Sequence, residues 1–275
     1  MPLQQFSQSS LQDYVDCPRR FQLYYVEGQV WPAVQAEPVI RHEQHMDLGS
    51  RFHRLVERHQ LGLPADLLTA TIDDDQLQGW WAAYLDYAFL HKLSGTRYPE
   101  ITLSAELGGV RLAATYDLLL IVPGERAIIF DWKTYHTAPP RQWFASRLQT
   151  RVYAYVFAAA GQSLFGDSFR PEHVSMIYWL SGAPEVTFEY SVSQFDQDRV
   201  YLSTVIQEIE SRPTEGAWPL TSDERRCRFC QYRSLCGRGV AAAALDDGSE
   251  FGMFDTNIAL ESFDLGMSDV DSVGF

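Results

Sequence analysis

The 275-residue sequence predicts a mixed α/β domain built on one central sheet. Three observations predict it. The apolar periodicity is helical to about residue 92, strand-like from 101 to 132, helical from 141 to 160, and then runs strand, strand, helix to 211. Turn residues punctuate the strand region, with Gly108-Gly109 between two strands and Pro123-Gly124 before a third. Hydrophobic residues make up 46% of the chain, enough to bury a sizeable core.

The elements follow in order. Residues 7–25 read as helix, with Ser9 or Ser10 to cap it and Leu11, Tyr14, Val15 and Phe21 on one apolar face. Cys17-Pro18 interrupts that segment, which predicts two short helices meeting at the cysteine. Residues 28–41 read as loop, with Pro32 and Pro38. Residues 43–60 form a second helix on the stripe Leu48, Phe52, Leu55, Val56 and His59. His53 and Glu57 stand four apart on one side of it, within the pattern Gly49-x-x-x-His53-x-x-x-Glu57. Residues 73–92 form a third helix, with Trp80, Trp81, Tyr84 and Leu85 directed to the core. Strands at 101–107 and 110–122 pair as a hairpin, and 126–132 adds a third. Helix 141–160 carries Gln149 and Tyr153 one turn apart. Strands at 173–180 and 186–191 and a helix at 194–211 complete the order, and no internal repeat is visible.

The chemistry concentrates between Asp117 and Lys133. Side chains alternate along a strand, so Asp131 and Lys133 share a face. If the flanking strands form a hairpin, Asp117 comes beside Asp131. Two adjacent carboxylates repel unless a positive charge lies between them, and a hard divalent cation such as Mg²⁺ answers that need. Lys133 would then be a fixed cation beside a metal-bound water. Glu106 is a candidate additional carboxylate ligand.

The cysteines form a second constellation, Cys227-x2-Cys230-x5-Cys236, with Cys17 at the other end of the domain. One four-cysteine site would account for every cysteine in the chain. Zinc and an iron–sulfur cluster both suit such a site, and spacing does not separate them. Either would staple the chain ends together. Arg225, Arg226 and Arg228, with Arg19 and Arg20 beside Cys17, are a candidate basic patch for phosphate contacts.

The formal net charge of −14 argues against a general polyanion binder. Eight of the acidic residues lie in 240–275, a stretch without Lys or Arg, so the body is much closer to neutral. Residues 241–275 therefore read as an acidic, solvated tail dotted with Phe251, Phe254, Phe263 and Phe275. Its sharper use would be docking a protein partner or mimicking DNA in a basic groove. There is no signal-peptide pattern and no run long enough to span a bilayer. The expectation is a cytoplasmic protein, in which cysteines serve metal centres or reactive thiols rather than disulfides. No G-x-x-x-x-G-K-[ST] loop is present, so any helicase motor would be another chain.

Taken together, these motifs resemble the RecB-like branch of the PD-(D/E)XK nuclease superfamily in its iron–sulfur form. That group includes CRISPR-associated exonucleases and the nuclease domain of the AddB helicase–nuclease subunit. The resemblance spans roughly residues 7–240. His53 stands at the family's helical histidine and Asp117 at its metal-binding aspartate. Asp131 and Lys133 stand at its Asp-x-Lys, and Gln149 and Tyr153 at its Gln-x-x-x-Tyr helix. Cys17, in a Cys-Pro-x-x-Phe context, stands with Cys227, Cys230 and Cys236 at its cluster cysteines. One departure is Ala114, where the family often has glycine.

The resemblance implies a restriction-endonuclease-like mixed sheet flanked by helices, with an iron–sulfur-stapled terminal lobe and a nuclease domain over 1–240. It implies that His53, Asp117, Asp131 and the Trp132 backbone carbonyl hold Mg²⁺ or Mn²⁺. Lys133 would orient the attacking water, and Gln149 and Tyr153 would position the DNA strand or the lysine. The four cysteines would hold a [4Fe–4S] cluster, with zinc as the alternative occupant. The implied reaction is hydrolysis of DNA, of single strands or ends, in repair, recombination or CRISPR adaptation. A helicase or CRISPR integrase subunit would be a partner. The competing reading is a non-cleaving DNA-binding or assembly subunit. On the nuclease reading, Asp131→Ala is expected to abolish cleavage and spare folding.

Overall fold

The longest strand, β3 (Val110–Val122), is the spine of the sheet, and its sequence explains why. VRLAATYDLLLIV offers apolar side chains to both faces, and all but three of its residues are buried. A strand covered on both faces reads as a near-continuous apolar run. The computed structural model describes residues 5–29, 37–135, 138–166, 169–227 and 230–239.

Strand β2 (Thr96–Leu107) pairs antiparallel along the whole of one edge of β3. The two-residue turn between them uses Gly108 and Gly109, at φ 65° and 87°, where only glycine is unstrained. The other edge of β3 is shared by two strands in succession. Strand β1 (Gln5–Ser7) runs parallel to residues 111–113, and β4 (Arg126–Lys133) runs antiparallel to residues 118–122. Outside β4 lie β5 (Val174–Leu180), parallel to it, and β6 (Ala183–Glu189), antiparallel to β5. The result is a six-stranded mixed sheet in the order β1-β3-β4-β5-β6, with β2 on the free side of β3. This is the mixed α/β sheet with flanking helices that the sequence predicts.

Two apolar cores cover the sheet. On one face α1 (Gln8–Asp16), α8 (Leu148–Ala160) and α10 (Val192–Glu210) pack over Leu112, Tyr116, Leu119 and Ile129. On the other, α3 (Glu37–Gln60) and α5 (Asp75–Leu85) bring Phe52, Trp80, Trp81 and Tyr84 onto Leu118, Leu120, Phe130 and Trp132. Large aromatic side chains dominate this second core. Truncating one such as Phe52, which is fully buried, to alanine costs about 3–5 kcal/mol.

Several element bounds differ from the sequence reading, each for a local reason. α1 is capped by Ser7, whose side chain and Ser10 form a reciprocal capping box, rather than by Ser9 or Ser10. The predicted break at Cys17 is present, and α2 (Pro18–Phe21) starts directly after it. α3 begins at Glu37 instead of 43, because a proline such as Pro38 is tolerated in a helix's first turn. The helix expected over 73–92 is divided into α5 and the short α6 (Ala88–Lys92), and an extra turn forms α4 (Ala65–Thr69). The helix expected over 141–160 divides at Arg147, extended at φ −78°, ψ 141°, into α7 (Arg141–Ser146) and α8, with a short α9 (Gln162–Phe165) after it. No helix among the described residues is long and apolar enough to cross a membrane. The acidic stretch 241–275 and Arg228 lie outside the described residues.

Candidate active site

The sheet forks at the site. β3 and β4 pair from Val122–Arg126 to Leu118–Phe130, and one further step of that register would set Asp117 opposite Asp131. There the ladder stops, because β1 takes over the edge of β3 four residues further on. β4 continues alongside β5 alone, to Lys133. Trp132 keeps its parallel register with Trp179, and its backbone groups are answered by side chains from the fork. Its N–H donates to Asp117 Oδ2 at 2.8 Å, and its carbonyl lies 3.0 Å from His53 Nε2. His53 also presents Nδ1 to Asp117 Oδ1 at 3.3 Å. The indole of Trp132 meanwhile packs in the second core.

A fourth group enters from β2. The ladder between β2 and β3 is paired at Pro99–Leu118 and Ile101–Tyr116, so Glu100 falls directly across from Asp117. Glu100 has φ 49°, the one described non-glycine residue with positive φ. One ligand atom from each of His53, Glu100 and Asp117 lies within 4.8 Å of the others. With the nearby Trp132 carbonyl, the donor set is one imidazole nitrogen and three oxygens. That set suits a hard divalent ion of the Mg²⁺ or Mn²⁺ type.

Charge is crowded here. Burial opposes protonation of His53, but the charge and hydrogen bond of Asp117, with the charges of Glu100 and Asp131, together outweigh it and lift the pKa to about 9. Glu100 is pushed up to about 8 by desolvation of its carboxyl at the mouth of the fork, with Asp117 adding repulsion. In the absence of a metal the cluster thus holds protons in place of a cation.

Asp131 and Lys133 share the opposite face of β4 from Trp132, as strand alternation requires. Both are buried, and Lys133 Nζ lies 3.0 Å from Asp131 Oδ2. Gln149 Nε2, on the first turn of α8, donates to Asp131 Oδ1 at 2.7 Å. Asp131 lies outside the His53–Glu100–Asp117 set. Tyr153 is fully buried one turn along α8 and packs on Tyr116, with ring centroids 5.1 Å apart. Its side chain therefore reaches a substrate strand only through other residues.

The structure brings together His53, Asp117 and Trp132, and places Asp131, Lys133 and Gln149 in one contiguous chain. Sequence reasoning missed Glu100 and offered Glu106 instead. Glu106 pairs with Arg111 at the exposed hairpin end, six residues and roughly 20 Å of strand away.

The cysteines also converge. Cys17 is buried between α1 and α2, close enough to Cys227, Cys230 and Cys236 for its charge to push the pKa of each upward, after burial. Burial pushes the Cys230 thiol up to about 11. The arginines of the expected basic patch that the structure describes each meet an acidic partner. Arg19 is matched by Glu27, Arg20 by Asp13 and Asp16, Arg226 by Asp16, and Arg225 by Asp223. These pairs tie the segments of the lobe to one another.

The sequence model of the PD-(D/E)XK nuclease superfamily matches residues 5–237. The chain belongs to the PD-(D/E)XK nuclease superfamily. The match takes in both constellations, from before Cys17 to Cys236. No curated protein matches the chain. Among solved structures, SSO0001 is similar at 13% identity and a TM-score of 0.41, with 85% of each chain covered. The structure named "Putative exonuclease" from Eubacterium rectale is similar at 13% identity and a TM-score of 0.48, covering 80% of this chain and 85% of its own. PD-(D/E)XK nucleases use divalent metals, and the His53, Glu100 and Asp117 donors fit that chemistry. The chain is thus a nuclease by superfamily, with an acidic site able to bind a metal.

Proposed function

We propose that this chain is a Mg²⁺- or Mn²⁺-dependent deoxyribonuclease of the RecB-like type, acting as an exonuclease on single-stranded DNA or DNA ends. The observation that carries the reading is the fork, where a metal-donor set stands beside a buried Asp131–Lys133 pair. His53, Glu100, Asp117 and the Trp132 carbonyl would hold the ion, with Asp131 near enough for its charge to act on His53 and Glu100. A divalent ion so held supplies Lewis acidity toward a phosphate oxygen and lowers the pKa of a water.

The chain's own residues do the rest. Lys133 carries positive charge at the fork, where it would orient the nucleophilic water and offset charge developing on the phosphate. Asp131 fixes the lysine's position, and Gln149 fixes Asp131. Tyr153 supports this face from within the core. DNA would approach the exposed mouth marked by Glu100, and Arg225 is the most exposed of the lobe arginines.

Residues 1–240 would form the nuclease domain, with a [4Fe–4S] cluster on Cys17, Cys227, Cys230 and Cys236. The gathering of all four cysteines in one lobe supports a shared metal centre. The cluster would be structural, since hydrolysis moves no electrons. The tail, 241–275, would dock a partner such as a helicase or integrase subunit of a repair or CRISPR system.

The test is cleavage of end-labelled single- and double-stranded DNA by anaerobically purified protein, with Mg²⁺, Mn²⁺ or EDTA, beside Lys133→Ala. Metal-dependent cleavage that the variant lacks supports the reading, and the label gives the polarity. DNA binding without cleavage under every condition would replace it with a non-cleaving assembly subunit.

A further inference from the structure

Helix α8 carries Gln149 to Asp131, yet its own sequence gives it no N-cap. Arg147 occupies the cap position without a side-chain hydrogen bond, so the first amides of the helix need a partner from elsewhere. Gln12 of α1, a residue 136 positions away, supplies one. Its Oε1 accepts the Leu148 N–H at 3.0 Å, and this bond is buried. The other end of the same amide, Nε2, donates to Asp16 Oδ1 at 2.8 Å. Asp16 in turn receives Arg226, the neighbour of Cys227, on that same oxygen, and Arg20 on Oδ2 at 3.4 Å.

We infer that Gln12 is a positioning residue of the active site, acting on Asp131 through the Leu148 amide and Gln149. The two glutamine side chains on this path have limited freedom. Gln12 is 5% exposed and Gln149 is 1% exposed, and α1 and α8 pack through Leu11 and Leu148 in one core. Gln12 spans its two partners with one planar amide. The inference rests on Asp131 acting in the proposed metal site.

The test is calorimetric titration of Mn²⁺ into the full chain, for wild type, Gln12→Ala, Gln12→Lys, Gln12→Glu and Asp131→Asn, with near-ultraviolet circular dichroism on each. Outer partners of metal ligands typically govern affinity by about tenfold or more. Gln12→Ala is expected to bind Mn²⁺ about tenfold more weakly with its dichroism unchanged. Gln12→Lys, which keeps a donor for Asp16 but offers Leu148 no acceptor, is expected to match it and serves if the alanine variant does not fold. Gln12→Glu keeps the acceptor at the helix start, where a carboxylate is favoured, and is expected to retain affinity.

Wild-type affinity in Gln12→Ala or Gln12→Lys, with Asp131→Asn weakened, would overturn the inference alone. Equal weakening in Gln12→Glu would assign the effect to the lobe instead of the Leu148 amide and would also overturn it. Unchanged affinity in Asp131→Asn would overturn both the inference and the role proposed for Asp131.

Discussion

Glu100 and Asp117 face each other across the β2–β3 ladder, and both strands change the side they bury at this pair. Leu112, Ala114 and Tyr116 enter the first core, as do Leu119 and Ile121, while Leu118 and Leu120 enter the second. On β2 the first core takes Ile101 and Leu103 on one side of Glu100 and Tyr98 on the other. The backbone at Glu100, with φ 49°, is where β2 makes the switch.

That geometry sets stability against binding. Glu100→Gly removes a side chain from a left-handed conformation that costs of order 1–3 kcal/mol, so the metal-free fold is expected to gain about 1 kcal/mol. Mn²⁺ affinity is expected to fall at least tenfold, as for loss of a metal-supporting group. Chemical denaturation in EDTA and calorimetric titration check the two halves separately.

Asp131 and Lys133 form a buried pair, and removing one partner leaves the other charged and unmatched. Asp131→Ala is therefore expected to destabilise the fold by about 3–5 kcal/mol, in contrast to the folding-neutral outcome the sequence alone suggested. Asp131→Asn keeps the acceptor for Gln149 and is the better probe of catalysis. Urea melts of both variants distinguish the two effects.

Metal-free stability should depend on pH in a defined direction. His53 has a folded pKa of about 9, above its ordinary value near 6.5. Its contribution is complete below about pH 6.5 and is lost as pH rises to 9. Glu100, raised to about 8 from its ordinary 4.5, costs the fold stability as pH rises from about 4.5 to 8, which overlaps the lower part of that window. Thermal melts in EDTA are expected to fall from pH 6.5 to 9. Saturating Mn²⁺ is expected to reverse that slope, because it takes the place of the protons.

The cysteine lobe should fail independently of the fork. Cys17→Ser is expected to lose iron, visible absorbance and several degrees of thermal stability, whereas Asp131→Asn retains iron. Iron analysis and melting of the two anaerobic proteins test the separation. Iron-free wild type with a zinc stoichiometry of one would replace the cluster with a zinc site.

Much of the site is legible in the residues. Strand alternation alone puts Asp131 and Lys133 on one face, and the Gly108-Gly109 turn gives β3 its correct bounds. Glu100 was legible too, by counting back from that turn, since Leu107 opposite Val110 implies residue 100 opposite 117. A carboxylate in an apparently ordinary strand gave no reason to count. The fork itself was not legible, because it depends on β1 and β4 dividing one edge of β3. Nor was Gln12, whose partner is an amide 136 residues away.

Trp132 divides its work between two sides of the sheet. Its indole belongs to the second core, while its N–H and carbonyl belong to the fork. A carbonyl survives every substitution, so no point change at position 132 deletes that ligand. What can displace it is a slip of β4 against β5, whose pairing of Trp132 with Trp179 aims the group. Evolutionary constraint on this ligand should accordingly fall on β5, a strand that contributes no reacting side chain. Mutational tolerance mapped by function would mark Met176 to Trp179 as sensitive positions that themselves carry no chemistry.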